Sequence, residues 1–207
     1  MAFKTEWLVR GLVESVFVVG SILLALAVDE WAENRNFAEL ADQSLGTFEQ
    51  EIAQNRDRVE DGIPYHGGIR DLLAQMRLTP PTVVDLRSIM EGFEPPVLLR
   101  TAWETALATG ALTHMDFEVV RVLSLTYSIQ EGFTSRSRSD RPRFGSMEGF
   151  SEADVAEQLE YAYDYVADLT RDEAELLTVF NQALELIGAY RAGAEPAALD
   201  DPSPSSQ

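Results

Sequence analysis

The chain has 207 residues, 35 Asp and Glu against 16 Lys and Arg, no Cys, and a formal net charge of −19. That length accommodates one anchor and one modest domain, and the charge argues against nucleic acid as a partner, because binding phosphates needs a positive surface. Without Cys there is no disulfide, thiol nucleophile or thiolate metal site, and Lys4, the sole lysine, leaves everything after it without a Schiff-base or Walker-type lysine.

The stretch Leu8 to Trp31, LVRGLVESVFVVGSILLALAVDEW, predicts a transmembrane helix. No charged residue falls between Val16 and Val28. A span needs about 20 residues, so the helix extends back to Leu8 and takes in Arg10 and Glu14. Arg10 reaches the headgroups by snorkelling. Trp7 and Trp31 bracket the segment at interfacial positions. The competing reading is a cleaved signal peptide, with Ala25-Leu26-Ala27 as the small-residue site and Lys4 and Arg10 as its basic region. Against it, the apolar run passes into the helix-compatible DEWAENRNFAELADQ with no turn signal. Lys4 and Arg10 precede the span, and Arg35 is the sole base in the twenty residues after it. The positive-inside rule then leaves the N-terminus in the cytoplasm and the bulk of the chain outside. Four acids and bases (Glu6, Glu14, Lys4 and Arg10) cancel before residue 29, so the whole charge imbalance lies from Asp29 onward, past the apolar run.

Trp7, Gly11, Glu14, Val18, Ser21, Ala25, Val28 and Ala32 share one helical face at heptad spacing. Gly11, Glu14, Ser21 and Ala25 are the candidate membrane-helix interface, since small residues let helices approach in lipid. Glu14 has two readings: a polar contact with a partner helix, because intramembrane acids are costly, or a residue in the headgroup zone of a short span.

Beyond the anchor the same helix is expected to continue. Phe37, Ala41, Leu45, Phe48, Ile52 and Val59 recur every three or four residues, and Gly62-Ile63-Pro64 is the expected stop. A short helix with Leu72, Leu73, Met76 and Leu78 ends at Pro80-Pro81. Thr82/Asp85, Thr101/Glu104, Thr113/Asp116 and Ser151/Asp154 each carry the capping-box spacing of a helix start. Gly110 is the expected stop before the third of these. Gly132 to Gly149 reads as a loop rich in Ser, Arg and Gly. The last helix carries Val155, Leu159, Ala162, Val166, Leu169, Leu177, Phe180, Leu184 and Ile187, with Thr170/Glu173 a potential second start. The tail after Tyr190 has the composition of a disordered segment. No stretch alternates as a strand would. The expected fold is all-α: residues 1–7 cytoplasmic, a single transmembrane helix over 8–31 continuing into an antiparallel helical bundle over 32–191, and a disordered tail over 192–207.

Glu14, Gly20, Ile22 to Leu26, Trp31 and Glu33, in VESVFVVGSILLALAVDEWAENR, resemble the opening of the DUF6090-like family of small N-terminally anchored bacterial proteins, to which no activity is assigned. FAELADQSLGTFEQEIAQNRDRV resembles the family's continuing helix. Thr101 to Tyr127 is similar to its helix, small-Gly turn, helix segment, with Ala-Thr-Gly where Ser-Gly is usual and no counterpart for the Ser/Arg loop. The resemblance covers about half the chain. It implies a helical protein anchored in the bacterial inner membrane and carries over no catalytic residue.

Chemistry-bearing motifs are sparse. His66 and His114 fall in no metal-binding spacing; His66 reads as a surface turn residue and His114 as a polar first-turn residue. Acidic groups such as Glu49/Glu51 and Asp172/Glu173/Glu175 read as solvated helix faces. Arg136, Arg138, Arg141 and Arg143 form the one basic island, either a contact for an acidic partner, lipid headgroups or the protein's own acidic helices, or a solvated loop. Tyr161, Tyr163 and Tyr165 cannot share one helical face. The expected function is protein–protein contact or assembly, by homo-oligomerisation or with a membrane partner, with lipid met through one span. No enzyme activity, cofactor or metal is expected. The alternative is a small-ligand sensor with a pocket lined by Trp103, Tyr127 and Tyr161 to Tyr165, followed by a hydrolase using buried carboxylates.

Overall fold

The computed structural model describes the backbone of residues 3–79, 81–145 and 152–193, and side-chain surroundings over 15–79, 81–139 and 152–193. Helices are the only regular elements among the described residues, with no strand: α1 Phe3–Met76, α2 Val83–Glu91, α3 Thr101–Thr109, a 3-10 turn Ala111–His114, α4 Phe117–Gly145 and α5 Val155–Arg191. At 1.5 Å per residue, the 74 residues of α1 run about 110 Å.

Helix α1 has two characters. Over Val16 to Val28 its side chains are apolar all round and exposed, and the helix is long and apolar enough to cross a membrane. From Ala41 onward a stripe is buried: Ala41, Leu45, Phe48, Ile52, Val59 and Leu73. Its three- and four-residue spacing is that of a helix with one face on a core. The stripe packs with Ala162, Val166, Leu169, Leu176, Phe180, Ala183 and Ile187 of α5 and with Val119, Leu123, Tyr127 and Phe133 of α4. Burying each large apolar side chain contributes about 1.5–3 kcal/mol. Cross-links give the levels along α1: Arg191 meets Glu49 at 2.7 Å, Glu173 meets His66 at 2.6 Å, and Arg77 meets Glu160 at 2.7 Å.

Helix α1 does not stop at Gly62-Ile63-Pro64. It runs through Pro64 to Met76 and absorbs the short helix expected after it. Pro64 lacks an N–H, which deprives the Glu60 carbonyl of its helical donor, but Pro64 is exposed and water can serve that carbonyl. Packing of Leu73 and His66 into the core outweighs the helix-breaking cost of about 3 kcal/mol. The Thr82/Asp85 box is present, each side chain bonded to the other's backbone N–H. Gly110 ends α3 in the left-handed region, φ 73°, as a C-terminal glycine should.

The other starts differ. Helix α3 has Arg100 at its N-cap with no side-chain cap bond, and Glu104 pairs with Arg100 at 3.0 Å instead. Helix α4 begins at Phe117, not Thr113. Asp116 Oδ1 accepts from the backbone N–H of Glu118 at 2.8 Å, and Thr113 lies in the 3-10 turn. At the start of α5, Asp154 makes no side-chain cap bond, and Ser151 lies outside the described residues. Helix α5 is unbroken at Thr170. Residues 132–145, expected as loop, continue α4 because Phe133 and Ser137 are buried. The tail from residue 194 lies outside the described residues.

Candidate functional site

The chain from Gly92 to Arg100 has no regular secondary structure, and α1 holds its backbone with side chains. Tyr65 Oη donates to the Gly92 carbonyl at 2.9 Å, and Arg58 Nη1 donates to the Val97 carbonyl at 2.9 Å. Asn55 grips Leu99 at both ends: its Oδ1 accepts from Leu99 N–H at 2.8 Å and its Nδ2 donates to Leu99 O at 2.7 Å. Gln130 Nε2 donates to the same carbonyl at 2.7 Å, and Asn55 Nδ2 also donates to Gln130 Oε1 at 3.1 Å. Residues 55, 58 and 65 of α1 thus meet 99, 97 and 92 of the strap in reverse order. Backbone groups in a segment outside helix and sheet need such partners when they pack inward.

Glu51 extends the ladder. It is buried, accepts from the Ala102 backbone N–H at 2.9 Å through Oε2, and accepts from Tyr127 Oη at 2.7 Å through Oε1. It therefore caps α3 from another helix, the place where a carboxylate is favoured by unpaired N–H groups and the helix dipole. This explains why the Thr101/Glu104 box is not used. Burial pushes the Tyr127 hydroxyl above its ordinary pKa, and its bond to the Glu51 carboxylate adds to the shift.

At the centre lies a pair that reading the residues as surface groups missed. His66 and Glu173 are both buried, at 2% and 0% exposure, and His66 Nδ1 sits 2.6 Å from Glu173 Oε1. His66 Nε2 faces the Glu94 carbonyl at 3.2 Å. A carbonyl can only accept, so Nε2 carries a hydrogen and donates it. The second proton lies between Nδ1 and Glu173, and whichever atom holds it, the pair is neutral overall. Glu173 Oε2 has no hydrogen-bond partner among the described residues. Tyr65 and Phe93 pack against the imidazole of His66, with Phe93 5.1 Å from its centroid, and Tyr165 packs against Phe93. Gly62 makes the room: a Cβ there would stand 3.0 Å from His66 Cε1. A glycine one turn before a histidine was the available signal for this close approach.

The remaining candidate residues are not brought to this centre. Ser21 donates to the Val18 carbonyl at 2.8 Å on the exposed first half of α1, and Ala25 is exposed beside it. The side chains of Gly11 and Glu14 lie outside the described residues, as do Arg141 and Arg143. Arg136 is engaged by Asp172 at 2.8 Å. Exposed Arg138 borders a cleft of about 80 Å³ with Pro95 to Leu98, Thr134 and Ser137. His114, at the end of the 3-10 turn, stacks on Phe37 at 3.9 Å and 10°. Trp103 and Tyr127 stack on each other at 5.4 Å and flank Phe48, so these rings fill core space. Tyr165 is buried, while Tyr161 and Tyr163 are half-buried, the latter beneath the Arg77 guanidinium at 4.6 Å.

No protein-family model, curated protein or solved structure matches the chain. Among the described residues no three His, Asp or Glu side chains converge as a metal set would. The strap and the His66–Glu173 pair have the character of a fastening: side chains of one helix hold an irregular segment through fixed hydrogen bonds. Chemically, the arrangement can hold a proton between two buried groups and resist separation of the helices that carry them. A buried ion pair adds little net stability over a well-packed apolar pair, yet leaving one member alone is costly.

Proposed function

We propose that this chain is a single-pass membrane protein that presents a helical bundle on a rigid stalk and acts through protein–protein contact rather than catalysis. The observation that carries the proposal is the continuity of α1: one helix bears an exposed, all-round apolar segment and then, without a joint, the bundle's core stripe. Water does not sustain the first part, since an apolar surface of that length is costly to hydrate. A bilayer does, with the span over residues 8–31 and the Trp31 ring, 5.7 Å from the Arg35 guanidinium, at the interface. Lys4 and Arg10 then lie on the cytoplasmic side of the bacterial inner membrane and the bundle outside it, an architecture in keeping with the DUF6090-like resemblance. The falling order of α5 residues met along α1 supports an antiparallel arrangement of these two helices. Contact with a partner membrane helix, or a second copy, is assigned to the face of Gly11, Glu14, Ser21 and Ala25. Arg136, Arg138, Arg141 and Arg143 are assigned to contact outside the membrane.

The test is extraction. Alkaline carbonate should leave the chain in the membrane pellet, and release into the supernatant would overturn the span. Detergent-extracted wild type should run as a defined oligomer or partner complex that Glu14→Ala dissolves. A lone monomer in both forms would overturn the contact reading.

A further inference from the structure

Helix α1 keeps one long face out of the bundle's core. Asn36, Gln43, Thr47, Gln50 and Gln54 are all exposed, on the side of α1 turned away from its buried Ala41, Leu45, Phe48 and Ile52. None of the five is charged. Their steps of seven, four, three and four residues are those of a seam between two helices. The register position between Asn36 and Gln43 falls on Leu40, which packs against the core. Elsewhere the surface is acidic: the exposed face of α5 carries Glu157, Asp164, Asp168, Glu175 and Glu185. Three α1 acids mark the borders of the stripe. Glu39 flanks it and accepts from Gln43 Nε2 at 3.2 Å, Asp29 flanks it at the proposed membrane surface, and the exposed Asp61 ends it. Toward the N-terminus the stripe runs on into Ala32, Ala25 and Ser21, the face already assigned to contact in the membrane. After Val28 and Ala32 the next step, to Asn36, is four residues where a strict heptad takes three. Such a stutter keeps both stretches on one side of an unsupercoiled helix.

We propose that a second copy of the chain occupies this face, the two α1 helices lying parallel from the span to Gln54. The inference rests on the span and on the membrane-face contact proposed above. Anchoring selects the geometry: two copies held by the same span share direction and height, so across a twofold axis each seam residue meets its own counterpart. Charge then selects the face. Like meets like in such a seam, and like charges repel, so a chain of net charge −19 can meet itself only along an uncharged stripe. The chemistry of the stripe completes the match. Each Asn or Gln amide has donors and an acceptor and each Thr hydroxyl has both, so every one can bond to its own copy, as a seam Asn does in a parallel two-stranded coil. A basic partner would instead be drawn to the acids of α5. Because the buried stripe faces the other way, the two bundles point away from each other and leave the seam open.

The chain has no cysteine, so single cysteines report contact between copies directly. The full chain would carry Ala25→Cys, Gln43→Cys, Gln50→Cys, Ala38→Cys or Asp168→Cys, one at a time, all at exposed positions. Ala38 lies on another side of α1 at the height of the seam, and Asp168 lies on α5. Membranes of the expressing cells would be oxidised with iodine, products read on non-reducing gels and by mass, and retained helicity checked by circular dichroism on purified protein. The expected result is a disulfide dimer at 25, 43 and 50, with little at 38 and 168. Dimer at 25 alone overturns the seam outside the membrane and leaves the contact within it. Equal yields at 38 and 168 reveal random collision and overturn the seam. An adduct of another mass at 43 and 50 overturns the second copy in favour of a different partner. No dimer at any position overturns the seam together with self-contact in the membrane.

Discussion

The two halves of α1 share one backbone and differ in what their side chains touch. From Val16 to Val28 every side chain is exposed and nearly all are apolar; from Ala41 to Leu73 a single stripe is buried and the other faces are polar. Apart from the Glu60 carbonyl below Pro64, helical hydrogen bonds are satisfied within the segment in both halves, so regularity does not distinguish them. The distribution of side chains does. An all-round apolar helix is at ease only in an apolar solvent, whereas a striped helix is completed by neighbouring protein. The second half also carries polar groups that would be ruinous if left alone: Glu51, Asn55 and His66, each matched by a group on another element.

If the second half depends on matched polar partners, breaking the central match should hurt most. Glu173→Ala leaves His66 buried without its carboxylate and should cost about 3–5 kcal/mol, read as a lower urea midpoint. Replacing both partners, His66→Phe with Glu173→Met, should recover most of that loss, because an apolar pair needs no proton. A single-variant loss below about 1 kcal/mol would show that water reaches the pair.

The first half should respond to polarity and be indifferent to packing. Leu23→Asp should weaken membrane insertion by about 3–4 kcal/mol, read as release into the carbonate supernatant. Leu23→Ala should leave the bundle's unfolding curve where it was, since Leu23 packs against nothing in the fold.

The cap from Glu51 gives a smaller effect with a pH signature. Glu51→Ala strands the Tyr127 hydroxyl and the Ala102 N–H, at about 1–3 kcal/mol. The Tyr127 pKa is raised in the folded chain, so its neutral form contributes stability that is fully present below the ordinary tyrosine value of about 10. That contribution is lost as pH rises through the higher folded value, where the unfolded chain ionises first. Tyr127→Phe should therefore flatten the alkaline fall seen in denaturant midpoints above that pH. An unchanged slope would remove the assignment.

The smallest effect belongs to the surface cap of α2. Bonds from the Thr82 hydroxyl and backbone N–H lower the Asp85 pKa. Its stabilisation is present above the ordinary carboxylate value and lost as pH falls through the lower folded one. Protection of the Val83–Glu91 amides, taken relative to their intrinsic exchange rates, should fall in acid, and Asp85→Asn should remove that acid dependence while leaving the rest of the bundle unaltered.

Local chemistry determined a good deal of this molecule in advance. The apolar run, the buried stripe from Ala41 to Val59, the Thr82/Asp85 cap and the Gly110 stop depend on residues within a turn or two of one another, so periodicity and spacing suffice to find them. The helix through Pro64, the cap of α3 by Glu51, the continuation of α4 past Gly132 and the burial of His66 with Glu173 were decided by tertiary structure. Each turns on a partner far along the chain: Glu173 is 107 residues from His66, and Glu51 is 51 from Ala102. A histidine in a Gly-rich stretch and a glutamate in an acidic run carry surface statistics by themselves. Only packing that excludes water from both at once makes them a pair, because only there does an unmatched charge cost more than the helix-breaking residues around it.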